Sequence, residues 1–379
     1  MNQPTKNPFK FGDPVEGDYY FPRVALARSV RQFLDNGIHV VLVGPRRFGK
    51  TSFIIDTIRN EEKGGKTCVL IDIFNVTSHR DFLQQILRSL RSKERWGHKV
   101  KAWIESVPRL RPVLSWEADP TTGQSTFSLK PEAFSQKDIK ELIQDALSAL
   151  GKLGKNVFIA MDEFQTVSEI EDQGWLEATL RTQMQRTKNA VFLFSGSRRS
   201  LINDMLNNPS RPFYRSCQVI DFPAFDEDFS DWIIGRFKSV RVSCDQEAVV
   251  ELRREVQDTP NYVQMACFHL VAQGVRHVDQ RTVHGALRTI VKQNAYAYQT
   301  LLNSLTPLQQ RALRLAAKEG EEIFAKEVRD RYEVSSGPAL ASAIKSLKQK
   351  QILDEGTKKG RVVFDDPLFA IWLRTEFGD

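Results

Sequence analysis

The phosphate-binding pattern G-x-x-x-x-G-K-[ST] is matched at all of its fixed positions by Gly44-Pro-Arg-Arg-Phe-Gly-Lys-Thr51. The glycines let backbone N–H groups close around phosphate oxygens, and a helix that follows adds its positive end. Lys50 neutralises the β- and γ-phosphates, and the Thr51 hydroxyl is placed for Mg²⁺. We therefore predict ATP and Mg²⁺ as cofactors, with nucleotide contacts from Gly44, Pro45, Arg46, Arg47, Phe48, Gly49, Lys50, Thr51 and Ser52.

Two adjacent carboxylates follow the apolar run Val157-Phe-Ile-Ala-Met161. A buried strand that ends in an acidic pair supplies the second half of a site for phosphoryl transfer. We expect Asp162 to bind the metal and Glu163 to act as the general base for the water that attacks the γ-phosphorus. The pair therefore predicts hydrolysis of ATP as well as binding.

Another apolar run, Val191-Phe-Leu-Phe194, ends in hydroxyls and cations. Polar groups at this place can sense the γ-phosphate, and we select Ser195, Ser197 and Arg198. The alternative is an ordinary turn that caps a helix.

Two arginines, Arg211 and Arg215, lie just before the last apolar run of this region. Arg215 is our candidate for an arginine finger that reaches the γ-phosphate of a neighbouring subunit, which would require a homo-oligomer. The alternative for either arginine is an ion pair with a surface carboxylate of its own subunit.

Buried apolar runs alternate with helical patterns through the first 224 residues. Strands are predicted at Ile38–Val43, Cys68–Phe74, Val157–Met161, Ala190–Ser195 and Gln218–Phe222. Helices are predicted at Arg23–Asn36, Thr51–Arg59, Arg80–Leu90 and Gln136–Leu150. This alternation predicts an α/β fold, a P-loop NTPase core with a three-layer arrangement around a parallel sheet.

The pattern changes after residue 224. No convincing β-run lies between Asp226 and about Asn303, and Phe229, Ile233 and Phe237 share one helical face.

The last segment of the chain begins with Thr306 and Gln309, which have the offset of a capping box. Three helices then precede two short β-runs, the order of a winged helix; we expect these elements at Leu308–Lys318, Ala325–Tyr332, Pro338–Lys348, Ile352–Asp354 and Arg361–Phe364.

We therefore predict three domains. They are a P-loop ATPase core at 1–224 with a basic insert at about 88–131, a helical lid at 225–304, and a C-terminal winged-helix domain at 305–379.

The composition is that of an ordinary globular protein. Of 379 residues 41% are hydrophobic and 27% are charged, with a net charge of +7, which excludes a disordered or collagen-like chain. The four cysteines show no C-x-x-C spacing, so neither a disulfide framework nor a zinc ribbon is indicated. Apolar runs are too short to cross a bilayer and no signal peptide is evident. We expect a cytoplasmic protein without membrane association.

Taken together, these motifs resemble the STAND and AAA+ branch of the P-loop ATPases, and in particular the family of archaeal-type predicted ATPases. The resemblance covers nearly the whole chain, through Phe9–Pro14, Phe21-Pro-Arg23, Gly44–Ser52, Asp162-Glu-Phe-Gln165, Ser195-Gly-Ser197, Pro212–Arg215, Pro260–Gln264 and Asp366–Trp372. It implies an ATPase core, a helical lid whose Pro260 region approaches the nucleotide, and a C-terminal winged helix.

Two cation-rich stretches bear on partners. Between Arg88 and Arg111 eight cations face two acids, with Trp96 and Trp103 interleaved. Such a segment suits nucleic acid or an acidic protein surface, and the alternative is a solvated helical face with both tryptophans packed inward. The run from Leu114 to Leu129 predicts a hairpin.

The second stretch lies in the predicted winged helix. Its third helix and wing are rich in cations that could meet DNA phosphates, although the domain as a whole has 13 basic and 12 acidic side chains. The alternative is a docking surface for protein. The cations are Lys345, Lys348, Lys350, Lys358, Lys359 and Arg361.

From these features we predict a Mg²⁺-dependent ATPase that acts as a STAND/AAA+-like molecular switch. ATP turnover would change the lid and winged helix seen by a protein effector that the sequence does not identify. The alternative is a DNA-binding oligomeric ATPase of the AAA+ type that acts as a loader or remodeler.

Overall fold

The structure is a computed structural model that describes residues 6–91, 114–118, 125–129, 135–319, 323–355 and 362–378. The chain divides into two compact units. The core unit comprises residues 22–223, and the C-terminal unit comprises the leader that ends at Phe21 together with residues 224–379. The leader thus groups with the C-terminal half rather than with the core; the division into three domains stays a prediction.

The core unit alternates strands and helices as expected. Its helices are α1 (Val24–Asp35), α2 (Lys50–Lys63), α3 (His79–Arg91), α4 (Gln136–Leu150), α5 (Trp175–Arg186) and α6 (Arg199–Asn207). Its strands are β1 (Val40–Val43), β2 (Thr67–Asp72), β3 (Leu114–Ala118), β4 (Ser125–Leu129), β5 (Val157–Asp162), β6 (Ala190–Gly196) and β7 (Gln218–Asp221).

Five of these strands form one parallel sheet in the order β2-β5-β6-β1-β7. Successive side chains point to opposite faces, so that Val41 and Val43 pack with α3 to α6 while Val40 and Leu42 pack with α1 and α2. Both faces are therefore covered by helices, which is why the strands are apolar throughout. The three-layer P-loop NTPase fold predicted from the sequence is confirmed.

The insert contains the predicted hairpin. Strands β3 and β4 pair antiparallel, with Leu114 opposite Leu129 and Ala118 opposite Ser125. Trp96, Trp103 and the cations from Lys93 to Arg111 lie outside the described residues.

The C-terminal unit is mainly helical. Its elements are α7 (Asp228–Ser239), β8 (Ser243–Cys244), α8 (Gln246–Glu255), α9 (Pro260–Ala272), β9 (His277–Val278), α10 (Gln280–Asn303), α11 (Pro307–Glu319), α12 (Lys326–Arg331), α13 (Gly337–Gln349), β10 (Leu353–Glu355), β11 (Val362–Phe364) and α14 (Pro367–Glu376). Strands β8 and β9 pair in parallel, so the expectation of no β-structure between Asp226 and about Asn303 was wrong. Two-residue strands are too short to produce a periodic sequence signal.

The winged helix forms as predicted. Gln309 N donates to Thr306 Oγ1 over 3.3 Å and Thr306 N donates to Gln309 Oε1 over 3.1 Å, which completes the capping box at the start of α11. Strands β10 and β11 pair antiparallel. Helix α14 follows, with Asp366 Oδ1 accepting from Leu368 N over 3.0 Å. The wing residues Lys358, Lys359 and Arg361 lie outside the described residues.

One hydrophobic core runs through the whole C-terminal unit, from Phe9 in the leader to Leu373 in α14. The leader is held to α9 by side chains as well as by this core. Lys10 N donates to Gln264 Oε1 over 3.2 Å, and Gly12 N donates to Asn261 Oδ1 over 2.9 Å. These bonds explain why the leader groups with this unit. Among the helices that the structure describes, none is both long and apolar enough to span a membrane.

Candidate nucleotide-binding site

The predicted phosphate loop connects β1 to α2. Gly49 precedes the helix in the left-handed conformation, with φ of +88°, which favours glycine. Gly44 N donates to Gly196 O over 3.2 Å, and a Cβ at Gly44 would lie 2.6 Å from Phe222 Cβ. The two fixed glycines are therefore required for different reasons, the first by close packing and the second by backbone conformation.

Lys50 is buried at the first position of α2. Its Nζ donates to Gly44 O and to Pro45 O, each over 2.8 Å. These two bonds keep the ammonium group against the loop that the motif assigns to phosphate. Ser52 is also buried, whereas Arg47 is exposed and has φ of 62°.

Three hydrogen bonds converge on the buried carboxylate of Asp162, the last residue of β5. Thr51 Oγ1 donates to Asp162 Oδ2, Ser195 Oγ donates to Asp162 Oδ1, and Glu163 N donates to Oδ1 over 3.0 Å. Asp162 is only 3% exposed, and this burial raises its pKa. A carboxylate and a hydroxyl side by side form an oxygen-ligand set suited to Mg²⁺.

Glu163 lies next to this cluster in the left-handed conformation, with φ of 56°. Its Oε2 accepts a hydrogen bond from Ser197 Oγ over 2.7 Å and another from Gln165 Nε2 over 2.5 Å. The sequence motif Asp162-Glu-Phe-Gln165 included Gln165 but gave it no role. Its position two residues after the predicted base was the available signal.

The three predicted sensor residues separate into two groups. Ser195 and Ser197 bond to the acidic pair, and no side-chain hydrogen bond caps α6, which begins two residues after Ser197. The Arg198 guanidinium instead forms an ion pair with Glu169. The structure thus brings the two serines together with the acidic pair and directs Arg198 towards another carboxylate.

Arg211 and Arg215 also differ. Arg211 Nη2 lies 2.5 Å from Oε1 of Glu177, a residue that is 1% exposed, so Arg211 takes the intramolecular alternative. Arg215 is exposed, has φ of 49° and stacks its guanidinium over the Tyr214 ring at 5.2 Å. In the described part of the chain we find no ion pair for Arg215.

Arg23 is, after Gln165, the second residue to which the sequence gave no role; it appeared there only within the motif Phe21-Pro-Arg23. It is buried, and Nη1 donates to Pro223 O over 2.6 Å while Nη2 donates to Phe48 O over 3.4 Å. The guanidinium also lies over the Phe222 ring at 4.3 Å. Arg23 therefore joins the start of α1 to the phosphate loop and to the segment that follows β7.

Pro260 belongs to the C-terminal unit and occupies the first turn of α9. Two residues earlier, Asp258 has φ of 54°, a conformation that a glycine would adopt more easily. Arg253 holds the Asp258 carboxylate by bonds of 2.7 and 3.1 Å. The approach of Pro260 to a nucleotide stays a prediction.

These features define a P-loop NTPase fold with an acidic pair, of which Asp162 is buried, beside its phosphate loop. Residues 35–203 match the family model of an AAA domain, and residues 296–375 match that of a probable winged helix domain. The chain thus combines an AAA domain with a C-terminal winged helix. Comparison with curated proteins gives no match.

Three solved structures are similar to this chain over almost its full length. A Walker-type ATPase of Pyrococcus abyssi is 18% identical, with a TM-score of 0.65 over 94% of this chain and 97% of that one. The ORC2 protein of Aeropyrum pernix, in ADPNP–ADP complexes, is 16% identical, with a TM-score of 0.53 over 94% of each chain. The ORC1 protein of Aeropyrum pernix, in complex with DNA, is 15% identical, with a TM-score of 0.50 over 95% of this chain and 94% of that one. The likeness establishes the AAA+ fold.

Asp162→Asn should stabilise the nucleotide-free protein by about 1 kcal/mol at neutral pH, because it removes a buried charge and keeps an acceptor oxygen. The raised pKa of Asp162 means that the folded state binds a proton at a pH where the unfolded state does not. Wild type should therefore regain stability relative to the variant as the pH falls from neutral towards the ordinary pKa of an aspartate. Urea unfolding of both proteins across this range measures the difference, and a variant that is less stable at every pH would contradict it.

Proposed function

We propose that the protein is a Mg²⁺-dependent ATPase of the cytoplasm. One observation carries the proposal: hydroxyls from the helix after β1 and from the end of β6 meet on the carboxylate at the end of β5, with a second carboxylate beside it. This is the set of groups that phosphoryl transfer from a nucleotide requires. The AAA domain match over residues 35–203 supports it.

Each residue then has a distinct task. Lys50 and the backbone N–H groups at the start of α2 would bind the phosphates. Thr51 and Asp162 would hold Mg²⁺, which supplies charge neutralisation to the β- and γ-oxygens. Ser197 and Gln165 both donate to Oε2 of Glu163, and we assign Oε1 to the attacking water, whose proton Glu163 accepts. Ser195 and Ser197 remain our candidates for sensing the γ-phosphate, and Arg198 would join them only by leaving Glu169.

Glu163→Gln tests this proposal. The variant keeps the hydrogen-bonding shape and the metal-binding pair but lacks a base, so turnover should fall by about 100-fold or more while ATP still binds. Single-turnover hydrolysis and calorimetric titration measure the two quantities. Lys50→Ala is the matched control, and it should lose ATP binding. Wild-type turnover by Glu163→Gln would place the base elsewhere, and the absence of ATP binding by the wild type would overturn the proposal itself.

We further propose that catalysis is completed between subunits by Arg215. The exposed guanidinium, beside a loop anchored by Arg211 and the buried Glu177, supports this role. Arg211 would act only by holding that loop in place.

Arg215→Ala should reduce turnover by about 1000-fold and leave ATP affinity nearly unchanged, since an arginine finger acts on the transition state. Mixing it with Lys50→Ala should restore part of the activity, because one kind of hybrid site then has both an intact loop and an intact arginine. Activity is measured at concentrations where light scattering shows self-association. A mixture without recovery would assign Arg215 a role within its own subunit.

The output of the ATPase is proposed to pass through the C-terminal unit to a protein effector, as in a STAND-like switch. The continuous core from the leader to α14 supports this, since a change at any part of that unit would be carried by the whole of it.

A second candidate function is that of a DNA-binding loader or remodeler. Two observations favour it. The ORC1 protein of Aeropyrum pernix, similar over 95% of this chain, is in complex with DNA. Helix α13, third in the winged helix, carries Lys345 and Lys348 and no acidic residue, and Lys350 follows it directly.

Lys345→Ala combined with Lys350→Ala should weaken duplex binding by a similar factor for all sequences, because both contacts would be to phosphates. The slope of log affinity against log salt should fall by about 2, at 0.9 for each phosphate. Fluorescence anisotropy with two unrelated duplexes in the presence of ATP measures both quantities. An unchanged slope would make this helix a protein-docking surface.

A further inference from the structure

Helix α10 carries a row of cations that none of the functions above uses. The helix runs from Gln280 to Asn303 and contains no aspartate or glutamate. Arg281, Arg288 and Lys292 are spaced by seven and four residues, which places them within about 40° of one another around the helix axis. All three side chains are exposed. They form what we term the α10 row.

Polar residues continue the row towards the C-terminal end of the helix. Tyr296 is 87% exposed and Gln299 is exposed on the same face. The distance along the axis from Arg281 to Gln299 is about 27 Å at 1.5 Å per residue. The opposite face packs in the core of the C-terminal unit through Val283, Leu287 and Ile290. The row therefore lies on the exposed side of a long helix whose opposite side is packed in the core.

The helix is also held at its start. Asp279 Oδ1 accepts from Thr282 N over 2.8 Å, and Thr282 Oγ1 accepts from Asp279 N over 2.9 Å, a reciprocal cap. This cap engages the acidic residue that lies closest in sequence to Arg281. The orientation of the row is thus set before any partner binds.

No ion pair neutralises the row within the part of the chain that the structure describes. Two carboxylates of α8 reach α10, but only beside His284, which lies at the border of the row. Glu251 Oε1 lies 2.6 Å from Arg254 Nη2 and 3.2 Å from His284 Nε2, and Glu255 Oε2 lies 3.0 Å from Arg374 Nη2. The nearby acids are therefore already engaged by other cations.

We propose that the α10 row binds the phosphate backbone of duplex DNA, as a second contact besides α13. The proposal rests on the DNA-binding candidate above and does not depend on ATP hydrolysis. Duplex DNA presents about one negative charge per 1.7 Å of axis, and the three cations of the row span about 17 Å of the helix axis, so several phosphates lie within their reach. Arginine, lysine, tyrosine and glutamine side chains are all donors used for phosphate contacts.

The chemistry of the row favours DNA over an acidic protein. Binding of a protein concentrates in apolar pockets that are filled by buried anchor residues. This face of α10 offers three cations and one glutamine amide around one exposed tyrosine, and Gly285 on the same side contributes no side chain. Contacts of this kind read no base sequence, so the row would add affinity without specificity.

The test is Arg281→Gln, Arg288→Gln and Lys292→Gln in one full-length chain, because glutamine keeps helix propensity and removes charge. The matched control is Lys152→Ala, Lys155→Ala and Lys188→Ala, three exposed cations of the core unit that give the same change in net charge. Anisotropy with a mixed-sequence duplex of about three helical turns is recorded over a series of salt concentrations. Thermal unfolding and ATP titration of each protein verify the fold and the nucleotide site separately.

Removing three phosphate contacts should lower the slope of log affinity against log salt by about 2 to 3 and weaken binding on the order of 100-fold at moderate salt. The control should stay close to wild type, and the single change Arg288→Gln should lower the slope by about 0.9. An unchanged slope in the triple variant, an equal loss in the control, or no duplex binding by the wild type would overturn the proposal. Polyglutamate serves as a probe for an acidic protein. If it binds wild type as tightly as DNA does, and the triple variant loses this binding, the proposal would be overturned in favour of an acidic protein.

Discussion

The buried carboxylate of Asp162 is the group on which the candidate site depends. An ionised acid that is 3% exposed is costly unless hydroxyl or amide donors surround it, and here Thr51, Ser195 and the backbone of Glu163 supply them. These donors come from α2, from β6 and from the residue that follows β5. Strand β6 lies between β1 and β5, so its last residues bridge the phosphate loop and the acidic pair. The site is assembled by the strand order.

Gly196 lies between the two serines that bond to the acidic pair. A Cβ at Gly196 would lie 2.7 Å from Ile202 Cδ1, so glycine lets the Ile202 side chain pack directly against the backbone between Ser195 and Ser197. Their hydroxyls can then reach Asp162 and Glu163 respectively. Close packing at a glycine and two hydroxyls that bond to the acidic pair are therefore combined within three consecutive residues.

Arginine side chains donate hydrogen bonds to backbone carbonyls just before and just after residue 224. In the core unit Arg23 donates to Pro223 O and also reaches Phe48 O in the phosphate loop. In the C-terminal unit Arg253 donates to Phe225 O over 2.7 Å and to Asp226 O over 2.9 Å. Guanidinium groups suit this task because their several fixed donors can satisfy carbonyls from separate segments at once. Each unit thus fixes its own end of the connection.

Local signals in the sequence were sufficient for the phosphate loop, the five strands of the parallel sheet and the winged helix, because each depends on residues close together in the chain. The spacing of Gly44, Gly49 and Lys50 and the periodicity of the apolar runs predicted the architecture correctly. Tertiary structure alone decided which polar groups meet: that Gln165 binds Glu163, that Arg198 pairs with Glu169, and that Arg23 joins the phosphate loop. It also decided the grouping of the leader and the pairing of β8 with β9. Such contacts join residues far apart in sequence or depend on side-chain direction, and neither leaves a periodic or compositional trace.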